Sequence, residues 1–280
     1  FQSKVITIRD SLSPDETLTD PLTSSSLETL QPTNPDEIQS LIRKLPPKSC
    51  QLDPVPTILI KDCITIFAPI ISRIINSSLD QACVPSSLKI AHVHPTLKKP
   101  SLDPQVLQNY RPVSNLQFLF KILERIVFSR LSDYFLENGL FDPFQSAYRS
   151  HYSVETLLVN VSNFILHEMD GGNVTAMLLL DLSSAFDTVN HTILLNTLMS
   201  FGVKGQAYHW FKSYLSCHSQ IVCINRSTSN SAPLTCGVPR GSVGGPTLFS
   251  IYLIGLQHIL QRYSVHYHIY ADDIQLIVCF

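Results

Sequence analysis

The tetrapeptide Tyr270-Ala271-Asp272-Asp273 separates an alternating apolar run, residues 264–270, from a second apolar run, residues 274–280. Two such runs around a short polar segment predict two strands joined by a tight turn. One interpretation of the acidic pair is structural, because Asp tolerates turn conformations and hydrogen-bonds its own backbone. The other is a divalent metal site, because adjacent carboxylates beside apolar strands repel each other and are costly unless a cation compensates them.

A further acidic residue, Asp181, ends the continuous apolar run of residues 175–180. Such a run predicts a central strand that is buried on both faces. Asp181 at its end indicates a ligand site at the sheet edge, although an Asp that caps the following turn would give the same pattern. If Asp181 and the turn lie on paired strands, three carboxylates converge, and carboxylate oxygens are ligands that Mg²⁺ prefers. Two such ions about 3.5–4 Å apart can activate an attacking hydroxyl and stabilise a leaving pyrophosphate.

The composition bounds the class of protein. The chain has 280 residues, of which 44% are hydrophobic and 15% charged, and this suits one large domain or two interleaved subdomains with a substantial core. The formal net charge of −2 lacks the basic excess typical of nucleic-acid-binding proteins. Any role on nucleic acid therefore requires a local basic groove.

The cysteines and the apolar stretches indicate the cellular compartment and whether the chain spans a membrane. Seven cysteines without a C-x-x-C pair predict reduced thiols in an intracellular protein, in the nucleus, the cytoplasm or both. The most apolar stretch, residues 58–75, contains Lys61, Asp62 and Arg73, so we expect no membrane span. Because residue 1 is Phe, the chain is expected to be a piece of a longer protein.

Hydrophobic periodicity and capping residues predict the other elements. Residues 1–44 are interpreted as an N-terminal connector, weakly ordered to about residue 35, with a short helix capped by Asn34. Further predicted elements are a strand over residues 88–97 and helices over residues 58–82, 118–138, 153–169 and 247–261.

Five segments, taken in order, resemble the motifs of one polymerase family. They are NYRPVS (109–114) and FQSAYR (144–149), which resemble its fingers motifs, DLSSAFD (181–187), which resembles motif A, GVPRGSVGGP (237–246), which resembles motif B, and YADD (270–273), which resembles motif C. The family is the reverse transcriptase of non-LTR, LINE-type retrotransposons. The resemblance covers roughly residues 45–280.

The resemblance implies an α/β fold of the right-hand polymerase type, with fingers and palm subdomains and with the thumb missing. The fingers would comprise residues 45–150 and an insertion, 190–236. The palm would comprise residues 151–189 and 237–280 and hold a small antiparallel sheet backed by helices. The implied partners are an RNA template, a DNA primer and dNTPs, and the implied cofactor is a pair of Mg²⁺ ions, with Mn²⁺ as the substitute. The oligomeric state stays open.

The resemblance also assigns site residues. Asp181, Asp272 and Asp273 would be catalytic and would bind the metal ions together with the backbone carbonyl of Leu182. The implied nucleotide-binding residues are Lys98, Lys99, Arg111, Ala185, Phe186, Arg240 and Gly241. Among them, Phe186 matches a steric gate that favours deoxynucleotides, with a core aromatic as the alternative.

Alternatives remain for the basic residues. Lys98 and Lys99 match the fingers cations that hold a triphosphate, and a solvated loop would show the same residues. Arg111 suits phosphate because its guanidinium fork matches phosphate oxygens. Arg149 is a further candidate for template or phosphate contact.

The chain departs from the family in motif B. Arg240 stands where the family usually has Gln, and Gly244 and Thr247 stand where it usually has Leu. Gly244 and the glycine after it each weaken the helix start by about 1 kcal/mol. These departures favour a second hypothesis, an inactive remnant that at most binds nucleic acid, whereas the three intact Asp residues favour an active polymerase. A magnesium phosphotransferase of the Asp-x-Asp type does not fit the spacing of Asp181 and Asp187.

Overall fold

The structure, a computed structural model, describes residues 22–280 with the exception of residues 150, 183, 226, 240 and 264. The helices are α1 (Pro35–Lys44), α2 (Thr57–Asp62), α3 (Ile64–Asp80), α4 (Phe118–Glu137), α5 (Val154–Asp170), α6 (Ala185–Thr188), α7 (His191–Ser200), α8 (Gly205–Leu215) and α9 (Gly245–Arg262). The strands are β1 (Ile90–Leu97), β2 (Tyr110–Asn115), β3 (Thr175–Asp181), β4 (His218–Ile224), β5 (Ser227–Thr228), β6 (Ala232–Leu234), β7 (His266–Tyr270) and β8 (Asp273–Cys279).

Local capping chemistry sets several helix starts. The side chain of Asn34 accepts a hydrogen bond from the N–H of Glu37 at 2.9 Å, as predicted for the start of α1. Ser153 and Thr156 form a reciprocal capping box at the start of α5. These contacts use backbone donors that a helix leaves unsatisfied in its first turn.

The prediction of a single helix over residues 58–82 is wrong, because two helices occupy this segment. Cys63, with φ −107° and ψ 36°, leaves the helical region and separates α2 from α3. Ile60 and Ile64 are nevertheless both buried on either side of the break. Because the apolar period continues across Cys63, the sequence pattern did not reveal it.

The connector predicted over residues 1–44 is corrected for its second part. Residues 22–44 belong to the packed body: the N–H of Leu27 donates to Gly202 at 2.9 Å, and Ile38 and Ile42 of α1 are completely buried. Burial of these apolar side chains offsets the cost of ordering the segment. Residues 1–21 lie outside the described residues.

The strands form two sheets. A mixed sheet has the order β2-β1-β4-β5, with β6 also on β4; β1 pairs antiparallel with β2 and parallel with β4. A three-stranded antiparallel sheet has the order β3-β8-β7. In the described part of the chain, every helix is too short or too polar to cross a membrane.

The position predicted for β3 is wrong. We expected a central strand buried on both faces, but β8 occupies the centre of its sheet and β3 lies at the edge. Leu178 and Leu179 are 55% and 67% exposed. An unbroken apolar run predicts a strand without specifying which strands flank it, so β3 and a central strand have the same sequence pattern.

Candidate functional site

The acidic turn connects β7 to β8. Tyr270 pairs with Asp273, and only Ala271 and Asp272 lie between them. Ala271 adopts a left-handed backbone with φ 57°, which a two-residue hairpin turn of this kind requires. The predicted strand–turn–strand unit is confirmed, with Asp272 in the turn and Asp273 as the first residue of β8.

The register of β3 against β8 brings Asp181 to this turn. Asp181 lies directly opposite Asp273, and the N–H of Leu182 donates to the carbonyl oxygen of Asp272 at 3.1 Å. Directly opposed residues of an antiparallel pair present their side chains on the same face. The predicted adjacency of the Asp181 strand and the acidic turn is therefore confirmed.

The donor chemistry at this sheet end fits a hard divalent cation. Asp181 and Asp273 are exposed and Asp272 is half-buried, so water and substrate oxygens have access to the carboxylates. Within the described residues, no group of three or more His, Cys, Asp or Glu side chains converges into a metal-binding cluster. Mg²⁺ commonly takes one or two protein carboxylates and completes its shell with water and phosphate. The arrangement fits that mode rather than a closed protein cage.

Leu182, implied as a backbone ligand, has a second role. Its carbonyl oxygen accepts a hydrogen bond from the N–H of Ala185 at 3.3 Å. A carbonyl oxygen has two lone pairs, so one remains for a ligand. Ala185 itself is buried at the start of α6, where a larger side chain would meet the core.

Phe186 lies on α6 and packs against the core. Its ring stacks on the buried ring of Phe249 of α9, with centroids 4.7 Å apart and planes 26° apart. Its carbonyl oxygen accepts a hydrogen bond from the N–H of Val238 at 2.8 Å. Phe186 is half-buried, so it contributes to the core while part of the side chain stays accessible.

Sequence reasoning missed Tyr148. Its side chain is 53% exposed, and its ring meets that of Phe186 nearly at right angles, with centroids 6.5 Å apart. Burial of the phenol and the negative charge of Asp272 raise the pKa of Tyr148. The ring therefore lies against Phe186 and within electrostatic range of Asp272. The signal that could have identified it is its place in the FQSAYR motif, directly before Arg149.

Arg149 stabilises the loop in which it lies. Its guanidinium donates to the carbonyl oxygens of Asp142 at 2.9 Å and Gln145 at 3.3 Å. It also lies 4.4 Å from the ring centroid of Tyr152, within cation–π distance. These contacts assign the side chain a structural role in the conformation described.

The candidate phosphate-binding cations lie at one end of the β1–β2 hairpin. Thr96 pairs with Arg111, and the N–H of Lys98 donates to Asn109 at 2.8 Å. Lys98, Lys99 and Arg111 are all exposed, and none forms an ion pair with another described residue. They are close together and open to an anion, but they belong to the mixed sheet and not to the sheet of the carboxylates.

The glycine-rich loop 237–245 packs tightly against the mixed sheet and α4. Gly241 has φ 96°, and a Cβ atom there would lie 2.9 Å from the carbonyl oxygen of Ser114 on β2. A Cβ atom on Gly244 would lie 2.0 Å from the ring of Phe128. Both positions thus require glycine for close packing. Arg240 lies outside the described residues.

A buried carboxylate anchors the same loop. Glu124 of α4 is completely buried; it accepts a hydrogen bond from the hydroxyl of Tyr214 at 2.6 Å and from the N–H of Val243 at 3.0 Å. Burial raises the pKa of Glu124 to about 7. The sequence did not indicate a role for this residue, because the surrounding residues of α4 have the pattern of an ordinary apolar helix.

Comparison with known proteins gives consistent matches. Residues 97–279 match the family model described as reverse transcriptase (RNA-dependent DNA polymerase). The chain is 28% identical over 268 residues to a Drosophila melanogaster protein named probable RNA-directed DNA polymerase from transposon BS, a match that covers 91% of the chain and 29% of the relative. It is 32% identical over 221 residues to the RNA-directed DNA polymerase from mobile element jockey of the same species, covering 78% and 24%.

A relative from a vertebrate matches as well. The transposon TX1 uncharacterized 149 kDa protein of Xenopus laevis is 26% identical over 259 residues, covering 86% of the chain and 19% of the relative. The chain thus spans less than a third of the length of each of these relatives.

Proposed function

The chain belongs to the reverse transcriptase (RNA-dependent DNA polymerase) family, and from this premise we propose that it provides the nucleotidyl-transfer site of an RNA-directed DNA polymerase. The proposed substrates are an RNA template, a DNA primer and dNTPs. The primer 3′-hydroxyl attacks the α-phosphate of the dNTP, and pyrophosphate leaves. The observation that carries the proposal is the register of β3 and β8, which sets Asp181 opposite Asp273 beside the turn that holds Asp272.

The two sheets supply the proposed subdomains. The antiparallel sheet β3-β8-β7 would be the palm, within residues 151–189 and 237–280. The mixed sheet and its helices would be the fingers, within residues 45–150 and 190–236. Gly241 against Ser114 and Val243 against Glu124 are among the contacts through which the glycine-rich loop would join the two parts.

Asp181, Asp272 and Asp273, with the carbonyl of Leu182, would hold two Mg²⁺ ions. When bound, the ions would lower the pKa of the attacking hydroxyl and neutralise charge on the phosphates. The protein's own part is to fix the carboxylates, which it does through the β3–β8 register and the hydrogen bond from Leu182 to Asp272. Positioning of this kind supplies much of the rate in phosphoryl transfer.

The remaining residues would bind and select the nucleotide. Lys98, Lys99 and Arg111 are exposed cations without an ion-pair partner among the described residues, so their charges would be available to a triphosphate. Ala185 is small and buried, so it would leave space for the sugar near the start of α6, and Phe186 would exclude a 2′-hydroxyl.

Primer extension on an RNA template with Mg²⁺ tests the proposal. The 280-residue chain and the longer protein that contains it would each be compared with an Asp272→Ala variant. Asp133→Ala is a matched control, because Asp133 is an exposed carboxylate on α4. We expect extension by the parent and the control and none by Asp272→Ala. Extension no greater than that of Asp272→Ala would favour the inactive remnant that the motif B departures suggest.

A further inference from the structure

Tyr148 is held in a backbone conformation that does not suit a tyrosine. Its φ of 64° lies in the left-handed region, where a side chain crowds the backbone. Such strain persists only where the surrounding structure imposes it, and it is concentrated at functional sites. A glycine or an asparagine would adopt this conformation more easily.

The residues before Tyr148 impose this conformation. Ser146 donates its N–H to Ile269 at 3.0 Å, Ile269 donates its N–H to Phe144 at 2.8 Å, and the hydroxyl of Ser146 lies 2.7 Å from Nε2 of His268. The segment therefore adds to the free edge of β7, immediately before the acidic turn. Ala147 is buried, so the chain can proceed only by turning Tyr148 outward.

The packing of the ring does not offset this strain. Tyr148 is 53% exposed, whereas Phe249 at the other end of the aromatic series is buried. The rings of Phe249, Phe186 and Tyr148 run from the core to the surface: the first two stack, and the last two meet at 86°. Phe186 and Tyr148 thus form an open right-angled corner, and the segment of Tyr148 runs along β7 immediately before the acidic turn.

We propose that Tyr148 is a substrate-contacting residue, which together with Phe186 forms a two-ring corner that holds the sugar and base of the incoming nucleotide. The proposal rests on the proposed polymerase function. It makes sugar selection a property of both rings, so that Phe186 is one wall and Tyr148 the other. A nucleotide suits the corner because it presents a flat base and a compact sugar. Its phosphates would be bound through the metal ions at the acidic turn.

Nucleotide binding without turnover gives the first test. Titration calorimetry of the 280-residue chain with dTTP and Mg²⁺ requires neither primer nor template. We expect Tyr148→Gly to weaken dTTP binding about tenfold, as loss of one base–aromatic contact does, and Tyr148→Phe to bind as the parent does. Tyr263→Ala, which removes an exposed ring at the end of α9, is the control and should have no effect.

Thermal unfolding separates this role from packing. Glycine relieves the positive φ, so Tyr148→Gly should unfold at the same temperature as the parent or above it. Tyr148→Asn, which also tolerates the left-handed region, provides a second variant if the glycine variant does not fold. A dTTP affinity of Tyr148→Gly within about twofold of that of the parent would overturn the proposal, whether or not the Tm changes.

Sugar discrimination gives the second test. In single-nucleotide primer extension, Tyr148→Gly should raise KM for dTTP and lower the preference for dTTP over UTP about tenfold, with little change in kcat. The effects of Tyr148→Gly and Phe186→Ala should be non-additive, because the rings act as one corner. Fully additive effects on discrimination would contradict the shared corner. If the parent chain binds dTTP but never extends a primer, the proposed polymerase function is wrong. The role of Tyr148 is then still decided by the dTTP-binding test.

Discussion

Asp181 of β3 and Asp273 of β8 are direct partners in an antiparallel register. The side-chain period of a strand is two residues, so a slip of one position would turn Asp181 to the opposite face of the sheet. The same register pairs each residue of β3, from Thr175 to Asp181, with a residue of β8. The sheet therefore fixes the spatial relation of two carboxylates that are far apart in the sequence.

Asp181→Asn should separate stability from activity. Like charges directly opposed on two strands destabilise a sheet by about 0.2–1 kcal/mol, so the variant should unfold at a slightly higher temperature without divalent ions. Extension should fall by about a thousandfold or more, because a carboxylate that positions a catalytic ion contributes several kcal/mol. Urea titration in EDTA and single-nucleotide extension in Mg²⁺ measure the two effects. Undiminished extension would remove Asp181 from the site.

Gly244→Ala should destabilise the protein by about 1–3 kcal/mol, the usual cost of overpacking a well-packed core. The reason is the ring of Phe128, which lies 2.0 Å from the position of the new Cβ atom and is itself packed against Phe211 and Tyr214. Denaturant unfolding measures the loss. In a Phe128→Leu background the same change should cost less, and an equal cost in both backgrounds would show that the ring is not the obstacle.

Glu124 should make stability fall with rising pH. Its pKa in the folded protein is about 7, above the ordinary value of 4.5, so its favourable contribution is complete below pH 4.5 and is lost as pH rises through 7. The size of this loss is about 3 kcal/mol. Unfolding of the parent and Glu124→Gln across pH 4.5–8 isolates the contribution, since the variant lacks this titration.

Titration of His218 changes the stability with pH in the opposite direction, so its effect has to be removed from the comparison. Burial lowers the pKa of His218 to about 4, so its contribution to stability grows as pH rises from about 4 to 6.5. Because His218 is present in both proteins, the difference between the parent and Glu124→Gln retains only the effect of Glu124. A difference that does not change with pH would show that Glu124 does not titrate in this range.

Phe186→Ala should admit ribonucleotides. Removal of the ring opens the space beside the sugar, so the ratio of kcat/KM for dTTP to that for UTP should fall. The variant should also lose roughly 1–3 kcal/mol of stability, because the ring stacks on Phe249 and covers part of the core. Parallel extension reactions with dTTP and UTP measure this ratio. Phe186→Tyr, which keeps the ring, is the control and should retain the preference for dTTP. Unchanged sugar selectivity would identify Phe186 as a core residue only.

The sequence predicted the hairpin of the acidic turn, its pairing with the strand of Asp181 and most helices, because each depends on local periodicity, capping or motif order. It did not reveal the edge position of β3 or the break at Cys63, because an apolar run is the same in both arrangements. Tyr148 and Glu124 were missed for another reason. Tyr148 lies within a recognised motif, but its contact with Phe186 joins residues distant in the chain, and so does the contact of Glu124 with Val243.

The edge position of β3 has a practical consequence for handling the protein. Leu178, Leu179 and Leu180 are exposed along a strand whose outer backbone groups pair with no other strand in the described part of the chain. A long apolar edge of this kind readily pairs with a second copy and seeds aggregation. The 280-residue chain is therefore expected to precipitate at high concentration. A charged residue at position 178, which lies on the face opposite Asp181, should keep it in solution without contacting the carboxylates at the end of the same strand.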